Sequence, residues 1–97
     1  MRIDLQKLAV RDNAFNLALK EIGKRLPVYF RRRVSDSAAA EDLAQETLLE
    51  ALRASGSLRD VTRVEPWTFK IAHDTMVGRQ FVDLLLKSES SRLNSRR

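Results

Sequence analysis

The run Ala40-Glu41-Asp42-Leu43-Ala44-Gln45-Glu46-Thr47-Leu48-Leu49-Glu50-Ala51-Leu52 decides the fold, because its apolar residues recur at helical rather than strand spacing. At about 100° per residue, Leu43, Ala44, Thr47, Leu48, Ala51 and Leu52 share one half of a helix surface, which should bury. Asp42, Gln45, Glu46, Glu50 and Arg53 take the other half, and Leu49 falls among them. A lone exposed leucine is ordinary on a protein surface. Flanked by an amide and two carboxylates, it also has the make-up of a docking face, an apolar contact whose polar neighbours fix the register.

Upstream, Ile3, Leu5 and Leu8 give a short N-terminal helix ending near Arg11, after which Asp12 or Asn13 can cap a new helix from Ala14. Phe15, Ala18, Leu19, Ile22, Leu26, Tyr29 and Phe30 mark the inner face of that helix. Pro27 cannot donate to the carbonyl of Gly23, which predicts a kink between the two. Arg31, Arg32 and Arg33 suit the free carbonyls at the helix end. Asp36 or Ser37 can cap the helix that follows, and Glu41 and Asp42 suit its dipole.

Downstream, Ser55-Gly56-Ser57 stops the helix, and Leu58 to Val64 forms a loop carrying Arg59, Asp60, Thr62 and Arg63. On the sequence alone that loop is a solvated connector. Glu65-Pro66 opens a last helix, with proline where its missing amide is not needed. Trp67, Ile71, Val82 and Leu85 share one face and should complete the core, Trp67 as a buried anchor. Val77, Phe81 and Leu84 form a second apolar stripe away from it, expected to meet another helix of this chain or a partner. Lys87 to Arg97, rich in serine and arginine, lacks periodicity and reads as a flexible tail.

These elements predict an all-α fold, a compact bundle of three main helices plus a short N-terminal helix, in residues 1–86, with 87–97 as a flexible linker or tail. Ninety-seven residues suffice for one core, and 3 glycines and 2 prolines leave little material for hairpins. The chain has no cysteine and one histidine, His73, so neither a disulfide nor a metal or cofactor site is expected. No Gly-rich phosphate loop exists, and the carboxylates read as caps and surface charge, so no catalytic residue is assigned and an enzyme is disfavoured. The opening MRIDLQKLAV holds Asp4 and no long apolar run, which predicts neither a secretory signal nor a membrane span, and a cytoplasmic protein. A net charge of +5, concentrated at Arg31 to Arg33 and in the last six residues, favours polyanions without naming one.

Asp42 to Leu52, DLAQETLLEAL, resembles the second conserved region of bacterial sigma factors of the extracytoplasmic-function class, whose pattern is D-L-x-Q-E-x-[FL]-L-x-A-L. Asp12-Asn13-Ala14-Phe15, Gly23, Arg25, Leu26, Tyr29 and Arg31-Arg32-Arg33-Val34 resemble that family's first long helix. Pro66-Trp67, Phe69, Ile71 and Ala72 resemble its P-W-L-F-x-I-A segment, so the likeness spans about Leu5 to Arg79.

The resemblance implies a transcription initiation factor domain. Asp42, Gln45, Glu46 and Leu49 would dock on the clamp helices of the RNA polymerase largest subunit. The loop after Leu58 would hold a flipped-out base of the promoter minus-ten element, with Arg59, Arg63, Lys70, His73 and Arg79 on the nontemplate strand of the promoter DNA. The sequence departs from the pattern at Lys24, where the family has proline, at Asp74 for asparagine, at Gly78 for aspartate, and in an arginine cluster reduced to Arg79. Those departures, with Val77, Phe81 and Leu84 as an extra partner contact, fit the alternative of a sigma-like module that binds an anti-sigma factor without reading DNA. The family's second helical domain, which reads the minus-thirty-five element, has no counterpart within these residues.

Overall fold

The computed structural model describes the backbone of residues 5–94 and the side chains of residues 13–89. Three helices carry the fold: α1 (Leu5–Arg31), α2 (Ser37–Arg53) and α3 (Val64–Asn94). Two 3₁₀ turns, Ser55–Ser57 and Val61–Arg63, join α2 to α3, and there is no strand among the described residues. Each helix touches the other two, so one core serves all three.

The inner row of α1 is the one its periodicity predicts: Phe15, Leu19, Ile22, Leu26 and Phe30 are buried, with Ala18 and Tyr29 packed at the margin. The short first helix does not stand apart from it, because α1 runs without interruption from Leu5 through Asp12 and Asn13. Those two residues cost only a few tenths of a kcal/mol each inside a helix. An unbroken helix keeps adding backbone hydrogen bonds without a second nucleation, so continuity wins over a cap. Pro27 is likewise internal to α1 and does not end it.

Asp36 caps α2, its Oδ1 accepting the Ala38 amide at 3.0 Å. The helix starts early enough that Glu41 and Asp42 lie beyond its first turn. Ala40, Leu43, Ala44, Thr47 and Ala51 are its buried residues. Most are small, which lets α1 and α3 both approach closely. Leu48 packs at the core margin and meets α1 at Gly23, where a Cβ would sit 3.4 Å from both Leu48 methyls. Leu52, expected in the core, remains 49% exposed, because the projection places it at the edge of the buried stripe.

On α3 the buried row is Val64, Thr68, Ala72 and Met76, with Trp67, Phe69 and Ile71 packed against it. Trp67 is half-buried, edge-on to Phe15 with ring centroids 5.9 Å apart. Val82 and Leu85 do not complete the core: both are about half exposed, since the buried row of α3 ends at Met76. Nor does α3 stop at Lys87, for its helix continues through the serine-rich stretch to Asn94. Thr47 and Thr68 are fully buried polar residues, and each hydroxyl donates to the carbonyl four residues earlier, Leu43 O at 2.7 Å and Val64 O at 2.6 Å. No buried side-chain polar atom among the described residues lacks a partner.

Leu26→Ala, at a position with no exposure, is expected to cost about 2–5 kcal/mol in urea unfolding. Gly23→Val places branched carbon against Leu48 and is expected to cost about 1–3 kcal/mol.

Candidate functional site

The outer face of α2 is exposed as its pattern requires. Asp42, Gln45, Glu46 and Glu50 face solvent, and Leu49 is 53% exposed among them. The buried side of the same helix explains the outward turn of Leu49. Once Ala44, Thr47 and Ala51 are fixed against α1 and α3, the helical repeat leaves residue 49 nowhere to go but out.

Glu46 differs from its neighbours. Its carboxylate accepts a hydrogen bond from Arg79 Nη2 on α3 at 2.6 Å, bridging two residues that the sequence had assigned to separate surfaces. Both side chains are partly solvated, 36% for Arg79 and 48% for Glu46. The bridge therefore fixes geometry more than it adds stability, about 0.2–1 kcal/mol for a pair of this kind. The two residues line a groove between α2 and α3 together with Glu50, Asp74, Thr75, Gly78 and Val82. Asp74 carries its own neighbour, His73 Nδ1 at 3.4 Å. This groove escaped the sequence reading because its residues come from two helices.

Arg59, Arg63, Lys70 and His73 are all exposed. The loop bearing Arg59 and Arg63 is anchored at Leu58, which is buried, and shaped by Asp60. Asp60 Oδ1 accepts the Thr62 amide at 3.0 Å and the Thr62 hydroxyl at 2.6 Å, capping the turn Val61–Arg63. The Thr62 hydroxyl bond, then the amide bond, hold the Asp60 carboxyl below its usual range. The two arginines thus project from a turn with its own internal restraint rather than from a loose connector.

The first turn of α3 is tied to α1 by a contact that no spacing rule could supply. Arg25 Nη1 donates to Glu65 Oε1 at 2.8 Å, and the Arg25 guanidinium lies over the Phe69 ring, 5.5 Å from its centroid. The hydrogen bond from Arg25, with its charge, lowers the Glu65 pKa, and the same bond raises that of Arg25. Tyr29 sits beside this cluster, 5.3 Å from Phe69, and carries Arg33 stacked 3.7 Å above its ring.

Among the described residues no group of three or more His, Cys, Asp or Glu could hold a metal ion, and no helix is long and apolar enough to cross a membrane. What the surface offers is an acidic and apolar helix face on α2 and a separate set of cations on the loop and α3. Both lie on one three-helix module.

Comparison with known proteins gives that module its family. The sigma-70 region 2 pattern matches residues 21–86, and the chain belongs to that family. It is also 36% identical over 50 residues to RNA polymerase sigma factor YlaC of Bacillus subtilis (strain 168), across 52% of this chain and 29% of that protein. The match thus spans less than a third of the relative's length. No solved structure matches the chain. Sigma-70 region 2 belongs to transcription initiation factors, which are not enzymes.

Asp60 and Glu65 have lowered folded-state pKa values, so their stabilising contribution is complete above the ordinary carboxylate range and is lost as pH falls through the folded values. Carboxyl-carbon NMR titration is expected to give midpoints for both below those of ordinary solvated Asp and Glu. In Arg25→Gln the Glu65 midpoint should return to the ordinary range while that of Asp60 stays low.

Proposed function

We propose that this chain is the core-binding and minus-ten domain of a sigma factor of the extracytoplasmic-function class, working in the cytoplasm. Residues 1–86 form the recognition unit, and 87–97 lead out of it. Asp42, Gln45 and Leu49 dock on the clamp helices of the RNA polymerase largest subunit, Leu49 filling an apolar gap while the amide and carboxylate set the register. Glu46 takes part from its bridge to Arg79, so its role is to hold α2 against α3 as much as to touch the polymerase. The observation that carries this reading is the exposure of Leu49 and Gln45 on one face of α2, away from the buried stripe Leu43, Ala44, Thr47 and Ala51, within a chain of the sigma-70 region 2 family.

Promoter DNA is then met on the other surface. Arg63 ends the turn capped by Asp60 and Arg59 precedes it, and with Lys70, His73 and, less freely, Arg79 they offer cations and donors to phosphates and base edges of the melted nontemplate strand. No bond is made or broken. The domain acts by providing contacts that offset the cost of leaving bases unstacked.

A second reading has its own observation. Val77, Phe81 and Leu84 are exposed on α3, and no described element of the chain covers them. With Asp74 and Gly78 in place of the family's asparagine and aspartate, this favours a sigma-like module that captures an anti-sigma factor and leaves DNA alone.

In a pull-down with polymerase core, the Gln45→Ala, Leu49→Ala double variant is expected to lose binding about tenfold or more. Unchanged capture would remove the docking assignment. With the polymerase-bound domain, anisotropy of a labelled nontemplate minus-ten oligonucleotide should show salt-sensitive binding, weakened in Arg63→Ala with a salt slope smaller by about 1. Salt-insensitive or absent binding would favour the second reading.

A further inference from the structure

The arginines that end α1 are not equivalent. Arg31 meets the Glu41 carboxylate at 3.6 Å, as Arg25, Arg53 and Arg79 meet carboxylates elsewhere. Arg32 and Arg33 are exposed, and among the described residues neither meets one. Arg33 is nevertheless held in place. Its guanidinium carbon lies 3.7 Å from the centre of the Tyr29 ring, and its Nη1 donates to the Tyr29 carbonyl at 2.9 Å. At so short a separation the guanidinium lies flat, because one standing on edge would drive a nitrogen into the ring carbons. Tyr29 covers one face of the group, and the other is open to solvent.

The ring beneath is itself supported. Tyr29 is half-buried, edge-on to the buried Phe30 at 5.1 Å and 5.3 Å from Phe69 on α3. Phe69 in turn carries Arg25, which is bonded to Glu65. Arg33, Tyr29, Phe69 and Arg25 thus form one run of contacts across two helices, and Arg33 is its end without a carboxylate. Lys70 follows Phe69, and His73 stands one turn further along the same face of α3. The run therefore reaches two of the cations assigned above to the melted strand.

We propose that the open face of Arg33 is a stacking site for one unpaired nucleobase of single-stranded DNA, with Arg32, Lys70 and His73 supplying charge to the flanking phosphates. The proposal rests on the reading that this chain binds the melted nontemplate strand. It adds a contact from α1, the one helix to which that reading gives no part. A planar cation lying flat on an aromatic ring extends the stack, and bases stack on guanidinium planes as they do on aromatic rings. With Nη1 turned to the backbone, the group offers a face more than the fork that a carboxylate or a lone phosphate would take. Holding Arg33 on Tyr29 beforehand also removes the cost of ordering a long side chain on binding. Every base has a π face, so the site is tolerant of sequence.

Anisotropy of a labelled nontemplate minus-ten oligonucleotide, with the chain bound to polymerase core, tests this. Arg33→Lys keeps the charge and removes the plane. It is expected to weaken binding about fivefold or more, as for the loss of one stacked base, with the salt slope unchanged. Moving a single abasic site along the oligonucleotide should find one position where loss of the base weakens the parent by the same factor and leaves Arg33→Lys unaffected. Tyr29→Leu should lose sensitivity at that position too. Arg33 is exposed, so Arg33→Lys keeps the fold and decides the question even if Tyr29→Leu unfolds.

Parental affinity in Arg33→Lys overturns the proposal, as does a loss that no abasic position reproduces. Weaker capture of Arg33→Lys by polymerase core would assign the arginine to a protein contact and overturns it equally. In each of these cases the strand-binding reading stands if Arg63→Ala still weakens the oligonucleotide. Absence of salt-sensitive binding by the parent overturns both.

Discussion

The structure depends on one constraint: α2 must bury a single stripe against two helices at once. Ala40, Leu43, Ala44, Thr47 and Ala51 meet it, because four of the five are small enough to let α1 and α3 close in from either side. Gly23 on α1 faces Leu48, whose methyls lie 3.4 Å from where a Cβ would stand. A larger residue at any of the small α2 positions would push one neighbour away. Rotation of α2 would turn Leu49 from the surface into the bundle and Leu43 out of it.

That packing also distributes the polar groups. The two threonines at the helix contacts direct their hydroxyls back into their own helices, so small size is obtained without an unsatisfied polar atom. Ion pairs lie at the periphery, where they orient rather than stabilise. Arg25 with Glu65 sets the start of α3 on α1, and Glu46 with Arg79 sets its middle on α2. The loop between α2 and α3 is held at Leu58 and Asp60, which leaves Arg59 and Arg63 directed at solvent from a fixed base. The proposed docking face on α2 and the proposed strand-contact residues Arg59 and Arg63 thereby lie on different elements of one fold.

Much of this was legible in the residues. The inner row of α1 and the two faces of α2 follow from periodicity, since helical spacing determines which side chains can share a core. The extent of burial along α3 did not follow, because periodicity reports a face and not how far its neighbours reach. Val82 and Leu85 repeat the pattern of Trp67 and Ile71 but lie beyond the buried part of the bundle. Continuity of α1 through Asp12 and Asn13 was hidden for a different reason: a residue that can cap a helix can also sit within one at small cost. The bridges of Arg25 and Arg79 join residues 40 and 33 positions apart, and no local rule finds a pair at that distance. Of the candidate site, sequence located the side chains, and coordinates revealed that Glu46 and Arg79 hold each other.

The most direct test of the account is amide NMR of the isotopically labelled chain titrated with the isolated clamp coiled coil of a bacterial RNA polymerase largest subunit. The account predicts perturbations concentrated at Asp42, Gln45 and Leu49, with Lys70 and Phe81 unmoved. Shifts centred on the far half of α3, with the outer face of α2 silent, would contradict it.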